Sequence, residues 1–231
     1  ARVSPKFLYD ALGSRLFDAI TELPEYYPTR TEAAIFREHG TDIAAAVGAG
    51  ATLVDLGAGG CGKAAALFER LQPARYVAVD ISVDFVRDAL NRLQREHPHI
   101  AMSGVGLDFS QALTLPAQDL QGRPAFFYAG SSIGNFSPDE ALHFLQRLHA
   151  QARGGGLLIG VDLVKAASVL EPAYDDALGV TAAFTLNLLL HLNRLLDADF
   201  RPAQWRHIGL YNEAHARIEM HLEARDDLVV R

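Results

Sequence analysis

One stretch decides the fold of this 231-residue chain, Leu53-Val54-Asp55-Leu56-Gly57-Ala58-Gly59-Gly60-Cys61-Gly62-Lys63. Leu53 and Val54 end a short apolar run that is typical of a buried parallel strand. The glycines that follow allow the backbone to turn tightly and to approach a ligand closely. Residues 64–71 indicate a helix whose free N–H groups and dipole point back at the turn. A strand, a glycine turn and a helix N-terminus in this order predict a nucleotide or anion site.

Two nucleotide-binding motifs compete for this turn. Gly57-x-Gly59-x-x-Gly62 satisfies the dinucleotide fingerprint, although a single match of that kind is a weak signal. Gly57-x-x-x-x-Gly62-Lys63 almost satisfies a P-loop, but Ala64 stands where Mg²⁺ needs a Ser or Thr hydroxyl. We therefore set nucleoside triphosphates aside. The simplest structural alternative is a turn whose glycines only permit close packing.

An S-adenosylmethionine site is the third interpretation of the turn, and two acidic residues favour it. Asp55 lies two places before Gly57, the first glycine of the turn. Asp80 ends the second predicted strand, at a spacing that suits a carboxylate gripping a ribose diol. This arrangement of acids and glycines resembles class I methyltransferases. It predicts a Rossmann-like parallel sheet with S-adenosylmethionine as the cofactor.

Composition restricts the classes of function. The net charge of −7, without a cluster of Lys and Arg, predicts no nucleic-acid partner. Cys61 is the only cysteine, so an intrachain disulfide is impossible and a reducing, cytoplasmic compartment fits. The nine histidines lack ligand spacing, and we predict no metal site. Polar side chains interrupt the longest apolar stretch, residues 186–196, so we predict no membrane-spanning segment.

From residue 50 onwards, strand and helix patterns alternate, which predicts an α/β fold. Such alternation is typical of a parallel sheet with helices on both faces, whose ligands lie outside the C-terminal ends of the strands. We predict strands at 51–56, 75–80, 101–107, 125–130 and 156–163, and helices at 64–72, 83–96 and 138–152.

Three segments are predicted along the chain. Residues 1–48 form an N-terminal helical segment that contributes to the substrate site, and residues 49–166 form the cofactor-binding domain. Residues 167–231 form part of a smaller α+β substrate-binding unit. Within it, residues 171–196 indicate helix, and the alternation over residues 218–224 indicates a half-buried antiparallel strand.

Two helix starts carry a capping signature. Thr29-x-x-Glu32 predicts a capping box that opens a helix from about 30 to 47. Ser137-Pro138-Asp139-Glu140 combines an N-cap, a proline at the first helical position and a capping acid. We expect the glutamate of each signature to turn back onto its own N-cap.

The ends of the third and fourth strands carry further candidate site residues. Asp108 can accept a hydrogen bond from an exocyclic amine while Phe109 packs on a purine, although an aspartate here also suits a simple N-cap. Asn135 follows the fourth strand, where methyltransferases place a polar residue that holds the acceptor. Its alternative role is to tolerate a left-handed turn beside Gly134.

Taken together, six stretches resemble the family of histidine-specific N-alpha-methyltransferases, which make trimethylhistidine on the route to ergothioneine. The stretches are Pro5-Lys6-Phe7-Leu8-Tyr9-Asp10, Leu23-Pro24-Glu25-Tyr26-Tyr27-Pro28-Thr29-Arg30, Gly134-Asn135, Asp162-Leu163-Val164-Lys165, Ala173-Tyr174-Asp175-Asp176 and Gly179-Val180-Thr181-Ala182-Ala183-Phe184. The resemblance runs from about residue 4 to the end of the chain. Thr185 departs from the asparagine that the family has at this place.

The resemblance implies roles for individual residues. S-adenosylmethionine would be held by Gly57, Lys63, Asp80, Asp108 and Phe109, with Gly59 in the same glycine turn. Tyr26, Asn135 and Tyr174 would act at the catalytic centre and hold the carboxylate, ammonium and ring of L-histidine, and Tyr9 would line that pocket. The implied reaction is methyl transfer to the α-amino group of histidine.

The resemblance also implies chain beyond residue 231. The family has a Glu-x-Ser pair that holds the imidazole, followed by the last strands of the sheet. We therefore expect this chain to be part of a longer protein that is monomeric when complete. We expect the isolated part to bind cofactor weakly, to self-associate through the edge of strand five and to show little turnover.

Other functions compete with this one. An N-methyltransferase for another amino acid or aromatic amine would have the same cofactor half. A nicotinamide oxidoreductase would suit the glycine turn, but the chain has lysines only at 6, 63 and 165 and no Tyr-x-x-x-Lys pair. A module that binds the cofactor without turnover is the third alternative.

Overall fold

The computed structural model describes residues 2–231, and the chain divides into two compact units. The sheet unit is Arg30–Asp162, and the aromatic unit comprises residues 2–29 and 163–231. Within the described range, no helix combines the length and the apolar character needed to cross a membrane. The same residues contain no group of three or more His, Cys, Asp or Glu side chains placed to hold a metal ion.

Helices and strands follow one another along the chain. The α-helices are α1 (Ala11–Thr21), α2 (Tyr27–Val47), α3 (Gly62–Ala65), α4 (Phe68–Leu71), α5 (Val83–Glu96), α6 (Pro138–Ala152), α7 (Ala167–Tyr174) and α8 (Val180–Leu196). The strands are β1 (Thr52–Leu56), β2 (Arg75–Asp80), β3 (Ala101–Gly106), β4 (Pro124–Tyr128), β5 (Gly156–Ile159), β6 (Trp205–Asn212) and β7 (Arg217–Ala224). Short 3₁₀ turns lie at Pro5–Leu8, Ala117–Leu120, Ser132–Asn135, Pro202–Gln204 and Glu213–His215.

The sheet unit contains a five-stranded sheet in the order β3-β2-β1-β4-β5, with every adjacent pair parallel. This confirms the predicted α/β fold and its parallel sheet. All five residues of the central strand β1 are buried. The chain leaves β1 on one side to form β2 and β3 and later returns on the other side as β4 and β5. In open sheets of this kind, ligands bind at such a switch point, outside the C-terminal ends of the strands.

Each face of the sheet has its own apolar core, because successive strand residues point to opposite faces. Leu53 of β1 belongs to one core and its neighbour Val54 to the other. The first core packs against α3, α4 and α5 through Ala64, Leu67, Phe68, Leu71, Val86, Ala89 and Leu93. The second core packs against α6 through Phe144 and Leu148. Burying each large side chain contributes about 1.5–3 kcal/mol, so these two cores hold the strand ends in register.

Most predicted elements are confirmed, with differences at some ends. The predicted helices at 83–96 and 138–152 are α5 and α6. The predicted helix at 64–72 is instead two short pieces, α3 and α4, because the chain tightens between them to i→i−3 hydrogen bonds such as Leu67 N to Ala64 O (3.0 Å). The last predicted strand of the sheet ends at Ile159 and not at 163.

One of the two predicted capping signatures is confirmed and the other is wrong. Ser137 and Glu140 form a reciprocal box at the start of α6. In contrast, α2 begins at Tyr27, which places Glu32 inside the helix. The Glu32 carboxylate accepts a hydrogen bond from the backbone N–H of Gly130 at 2.6 Å, so it does not serve the start of its own helix.

The aromatic unit is built from α1, α7, α8 and the antiparallel hairpin of β6 and β7. Its core consists of Leu8, Ile20, Leu23, Tyr26, Ala173 and Phe184. The predicted helical stretch at 171–196 is confirmed in large part, as α7 and α8 with a break at residues 175–179, and the predicted antiparallel strand is confirmed as β7. Met220 of β7 is more exposed than the alternating pattern predicts, whereas Ile218 and Leu222 are partly buried.

Asp10 joins α1 to α8 within the aromatic unit. Its Oδ1 accepts hydrogen bonds from Gly13 N at the start of α1 (2.8 Å) and from Asn187 Nδ2 (2.7 Å), and its Oδ2 is paired with Arg194. Burial by itself would raise the pKa of Asp10, but these donors and the charges of His191 and Arg194 lower the pKa below its ordinary value of 3.8.

We predict that Asp10→Ala lowers the free energy of unfolding by about 2 kcal/mol at pH 7, because it removes a helix cap and two further partners. The lowered pKa means that this stabilisation is present above pH 3.8 and is lost as the pH falls through the folded-state pKa. Urea unfolding at pH 7 and at pH 3 measures the difference between variant and wild type. Asp227→Ala, at an exposed position of the same unit, is the control. If the wild type is more stable than Asp10→Ala by the same free energy of unfolding at pH 3 as at pH 7, the ionised Asp10 carboxylate is not the source of the stabilisation.

Candidate active site

The C-terminal ends of β1 to β4 carry the sheet unit's predicted site residues. Register pairs Leu56 of β1 with Val79 of β2, and Asp80 with Gly106 of β3. The residues that follow these ends therefore lie along one edge of the sheet. They are the glycine turn after β1, Asp80 at the end of β2, Asp108 and Phe109 after β3, and Asn135 after β4.

The glycine turn is held by the neighbouring strand. The N–H groups of Gly57 and Ala58 both donate to the carbonyl of Val79, at 2.8 and 3.2 Å. Gly57 has φ +75° and Gly59 has φ +49°, a left-handed conformation that glycine adopts at little cost. A Cβ atom on Gly57 would lie 3.7 Å from Phe109 Cζ, so a side chain there would fill the space beside that ring. The glycine turn therefore presents backbone without side chains at the C-terminal ends of the strands.

Asp80 links this turn to the start of α5. Its Oδ2 accepts from Gly59 N at 3.0 Å and its Oδ1 accepts from Ser82 N at 2.8 Å. The side chain is half-buried, and each carboxylate oxygen has a second lone pair. The backbone therefore fixes the orientation of the carboxylate while leaving it able to accept hydrogen bonds from a diol.

Asp108 and Phe109 are placed next to one another after β3. The Asp108 carboxylate accepts from the N–H of Ser110 at 3.1 Å and from the Ser110 hydroxyl. The ring of Phe109 packs edge-on against Tyr128, with centroids 5.8 Å apart, and also contacts Phe144. An apolar ring beside a fixed acceptor suits a purine with an exocyclic amine.

Lys63 lies at the end of the glycine turn, at the first turn of α3. Its Nζ is 2.8 Å from Glu32 Oε2, and the Lys63 side chain is 39% exposed whereas that of Glu32 is 10% exposed. Sequence reasoning assigned Glu32 to a capping box and so missed this pair. The sequence contains only one hint of this pair, a charged residue on the buried side of α2, and that hint does not identify Lys63 as its partner.

Asp55 is the acid before the turn, and it points into the core. It is 4% exposed, and the Tyr76 hydroxyl donates to its Oδ2 at 2.7 Å. Burial raises the pKa of Asp55 to about 7 despite that hydrogen bond, and the charge of Asp80 raises it further while that of Lys63 lowers it. Burial likewise raises the pKa of the Cys61 thiol to about 11, so Cys61 is protonated at neutral pH and is a poor nucleophile.

Asn135 ends the 3₁₀ turn that follows β4. It is exposed, and the turn is set by Ser131, which has φ +55°, and by a hydrogen bond from Gly134 N to the carbonyl of Ser131 at 2.9 Å. The left-handed residue at this turn is Ser131 and not Asn135. The alternative role of Asn135, to tolerate a left-handed backbone, therefore does not apply.

The aromatic unit brings its three predicted tyrosines together. The rings of Tyr26 and Tyr174 meet edge-to-face, with centroids 5.8 Å apart and an interplanar angle of 74°. Tyr9 is connected to them through Phe17, whose ring centroid lies 5.5 Å from that of Tyr9 and 6.1 Å from that of Tyr26. Tyr9 also contacts Phe184 at 5.5 Å. One aromatic cluster therefore contains every tyrosine that the sequence proposes for histidine binding.

His207 of β6 holds the backbone of Tyr174, and sequence reasoning missed it. Its buried Nε2 lies 2.7 Å from the carbonyl of Tyr174, and its Nδ1 lies 2.8 Å from the hydroxyl of Thr185. Gly209 lets β6 approach closely, since a Cβ there would lie 2.6 Å from the same carbonyl. Thr185, noted in the sequence only as a departure from the family, thus has a defined partner.

The side chains of the sheet unit fit S-adenosylmethionine by their chemistry. Asp80 can accept from a ribose diol, Asp108 from an exocyclic amine, and Phe109 offers an apolar face for a purine. Lys63 provides a cation for a carboxylate.

Comparisons with known proteins agree with this chemistry. A family model described as "Histidine-specific methyltransferase, SAM-dependent" matches residues 1–231. The Histidine N-alpha-methyltransferase of Mycolicibacterium smegmatis is 43% identical, and the similarity covers 98% of this chain and 71% of that protein. The Histidine N-alpha-methyltransferase of Mycobacterium tuberculosis is 42% identical, with 95% and 69% covered. Ergothioneine biosynthesis protein 1 of Neurospora crassa is 31% identical, with 96% of this chain and 27% of that protein covered.

Both mycobacterial relatives exceed 40% identity over nearly the whole of this chain, and the family model spans it completely. The chain therefore belongs to the family of histidine-specific, S-adenosylmethionine-dependent methyltransferases, as the six stretches of its sequence predict.

Proposed function

We propose that this protein transfers the methyl group of S-adenosylmethionine to the α-amino nitrogen of L-histidine, in repeated steps that end at trimethylhistidine on the route to ergothioneine. Family membership over residues 1–231 carries the proposal. The acids and glycines along the strand ends of the sheet unit support the cofactor, and the tyrosine cluster of the aromatic unit supports an amine substrate.

On this proposal the sheet unit binds the cofactor, which supplies a methyl group on a sulfonium when it is bound. Asp80 accepts hydrogen bonds from the ribose hydroxyls, and Asp108 accepts one from the adenine amine while Phe109 packs on the ring. Gly57 allows the backbone to approach, and the ammonium of Lys63 pairs with the carboxylate. Gly59 contributes by fixing Asp80 through its N–H, at 3.0 Å from Oδ2.

Tyr26, Asn135 and Tyr174 orient the histidine, and Tyr9 lines its pocket. The proposed reaction is an in-line displacement in which the neutral amine attacks the methyl carbon, so the protein contributes mainly by positioning the reactants and excluding water. An α-amino group has a pKa of about 8, so solvent, or a tyrosine in its phenolate form, takes its proton. Tyrosine faces stabilise the quaternary ammonium that forms last by roughly 0.5–2 kcal/mol.

The setting of the reaction is also part of the proposal. A net charge of −7 supports a small-molecule substrate without a nucleic-acid partner. A single, buried cysteine supports a reducing cytoplasmic compartment. We propose that the protein is a monomer when it is full length.

Mass spectrometry of histidine incubated with S-adenosylmethionine and the protein tests the proposed reaction. We expect products that carry one, two and three added methyl groups on the α-nitrogen. Methylation of another amine in preference to histidine would show that histidine is not the substrate. Binding of NAD in calorimetry, without binding of S-adenosylhomocysteine, would show that the protein is a nicotinamide-dependent enzyme and not a methyltransferase.

For Asp80, we predict that Asp80→Ala weakens S-adenosylhomocysteine binding about tenfold or more, because hydrogen bonds to a charged group contribute roughly 1.5–3 kcal/mol each. Calorimetry gives the dissociation constant, and circular dichroism shows whether the fold is retained. Asp84→Ala, a nearby and exposed aspartate of α5, is the matched control and should bind as the wild type does. Equal affinity of Asp80→Ala and wild type would show that Asp80 does not hold the ribose.

For the substrate side, we predict that Asn135→Ala and Tyr174→Phe weaken histidine binding about tenfold while changing S-adenosylhomocysteine binding less than about twofold. Each variant removes a polar group that we propose contacts histidine. Neither variant removes a group that we propose contacts the cofactor. Histidine is titrated into protein saturated with S-adenosylhomocysteine. Asn91→Ala, at an exposed position of α5, is the control. Equal losses for the two ligands would place Asn135 and Tyr174 outside the substrate site.

A further inference from the structure

Glu32 is a buried carboxylate with a hydrogen bond to one oxygen and an ion pair at the other. Its Oε1 accepts a hydrogen bond from Gly130 N at 2.6 Å, and its Oε2 lies 2.8 Å from Lys63 Nζ. The Glu32 side chain is only 10% exposed, and glutamates are almost never buried unless they are paired. Through these partners Glu32 contacts both the glycine turn after β1 and the first residues after β4.

Two glycines leave the room that this arrangement needs. Gly130 has φ +71°, and a Cβ on it would lie 2.7 Å from Lys63 Nζ. A Cβ on Gly160, which follows β5, would collide with Glu32 Oε1. The backbone after β4 and β5 is therefore kept bare where Glu32 and Lys63 meet. A pair that needs two such glycines is built into the fold and is not a chance contact at the surface.

Stability alone is a poor reason to keep this pair. A buried ion pair often contributes little net stability, because both charges lose their hydration. The pair nevertheless has a clear effect on geometry. A lysine ammonium sits on a flexible four-carbon chain with considerable rotamer freedom, and its three donors point in no fixed direction unless a partner sets them. Glu32 fixes Lys63 before any ligand arrives, which reduces the ordering cost of binding.

We propose that Glu32 is a positioning residue that aims the Lys63 ammonium at the carboxylate on the amino-acid end of S-adenosylmethionine. The inference rests on the proposed function, since it requires that Lys63 binds the cofactor. The amino-acid end is the one part of this cofactor that carries a carboxylate, the group that a lysine pairs with. Glu32 itself does not touch the cofactor, and its effect passes through Lys63.

The proposal is tested with two ligands that differ in that end alone. S-adenosylhomocysteine has the carboxylate, whereas 5′-methylthioadenosine shares the adenosine and the thioether but lacks the amino-acid group. Glu32→Gln removes the charge and keeps both the size of the side chain and the oxygen that accepts from Gly130. We expect it to weaken S-adenosylhomocysteine binding about fivefold and to change 5′-methylthioadenosine binding less than about twofold.

A double-mutant cycle shows whether the effect passes through Lys63. Lys63→Met should weaken S-adenosylhomocysteine binding about tenfold or more and leave 5′-methylthioadenosine binding unchanged. Glu32→Gln should then have no further effect in the Lys63→Met background. Because Lys63→Met alone leaves an unpaired buried charge, the neutral double variant Glu32→Gln/Lys63→Met serves as the folded comparison if the single variant does not fold. Glu38→Gln, at an exposed position of the same helix, is the control.

The outcomes separate this inference from the proposed function. The inference is overturned if Glu32→Gln binds S-adenosylhomocysteine as the wild type does, or if it weakens both ligands equally. It is also overturned if the losses from Glu32→Gln and Lys63→Met simply add. If Lys63→Met weakens neither ligand, the proposed cofactor role of Lys63 fails first and the inference fails with it. If the wild type binds neither ligand, the proposed function itself is wrong.

Discussion

The crowding of like charges at the end of β1 is the constraint on which the site depends. Three carboxylates, those of Glu32, Asp55 and Asp80, lie there with Lys63. Besides burial, the charges of Asp80 and Glu32 raise the pKa of Asp55, and the charge of Lys63 lowers it. Each carboxylate is stabilised differently. Asp80 receives two backbone N–H groups, Glu32 receives the lysine and one N–H, and Asp55 receives only a phenol. Asp55 is the most buried and the least compensated, and its pKa rises to about 7 accordingly.

The sheet and its glycine turn could be predicted because the signals that specify them are local. A buried strand, two left-handed glycines and an acid at the end of the next strand all lie within residues 53–80, and the structure has each of them in place. Element ends were less predictable. β5 stops at Ile159 because its end depends on pairing with β4 and not on the apolar run, which continues to residue 161.

Glu32 shows why a correct sequence signature can still mislead. Thr29-x-x-Glu32 has the spacing of a capping box, but the helix starts earlier, at Tyr27, with Pro28 at a position where the missing N–H is harmless. Glu32 then lies within the helix, and its partner Gly130 is 98 residues away. His207 is a similar case, since it meets Thr185 at a separation of 22 residues and Tyr174 at 33. Contacts over such separations follow from the topology, and no periodicity in the sequence encodes them.

Glu32 and His207, the two residues that the sequence did not predict, each contact a predicted site residue and not the ligand. Each supplies something that its site residue lacks by itself. A lysine has charge but no preferred direction, and a tyrosine at the C-terminal end of a helix has a carbonyl with no partner inside that helix. Glu32 supplies direction to Lys63, and His207 supplies a buried anchor for the carbonyl of Tyr174. Neither contact needs a ligand, so the geometry is established by folding. The residues that recognise a ligand can be inferred from their own chemistry, whereas those that orient them can be found only once the fold has brought distant parts of the chain together.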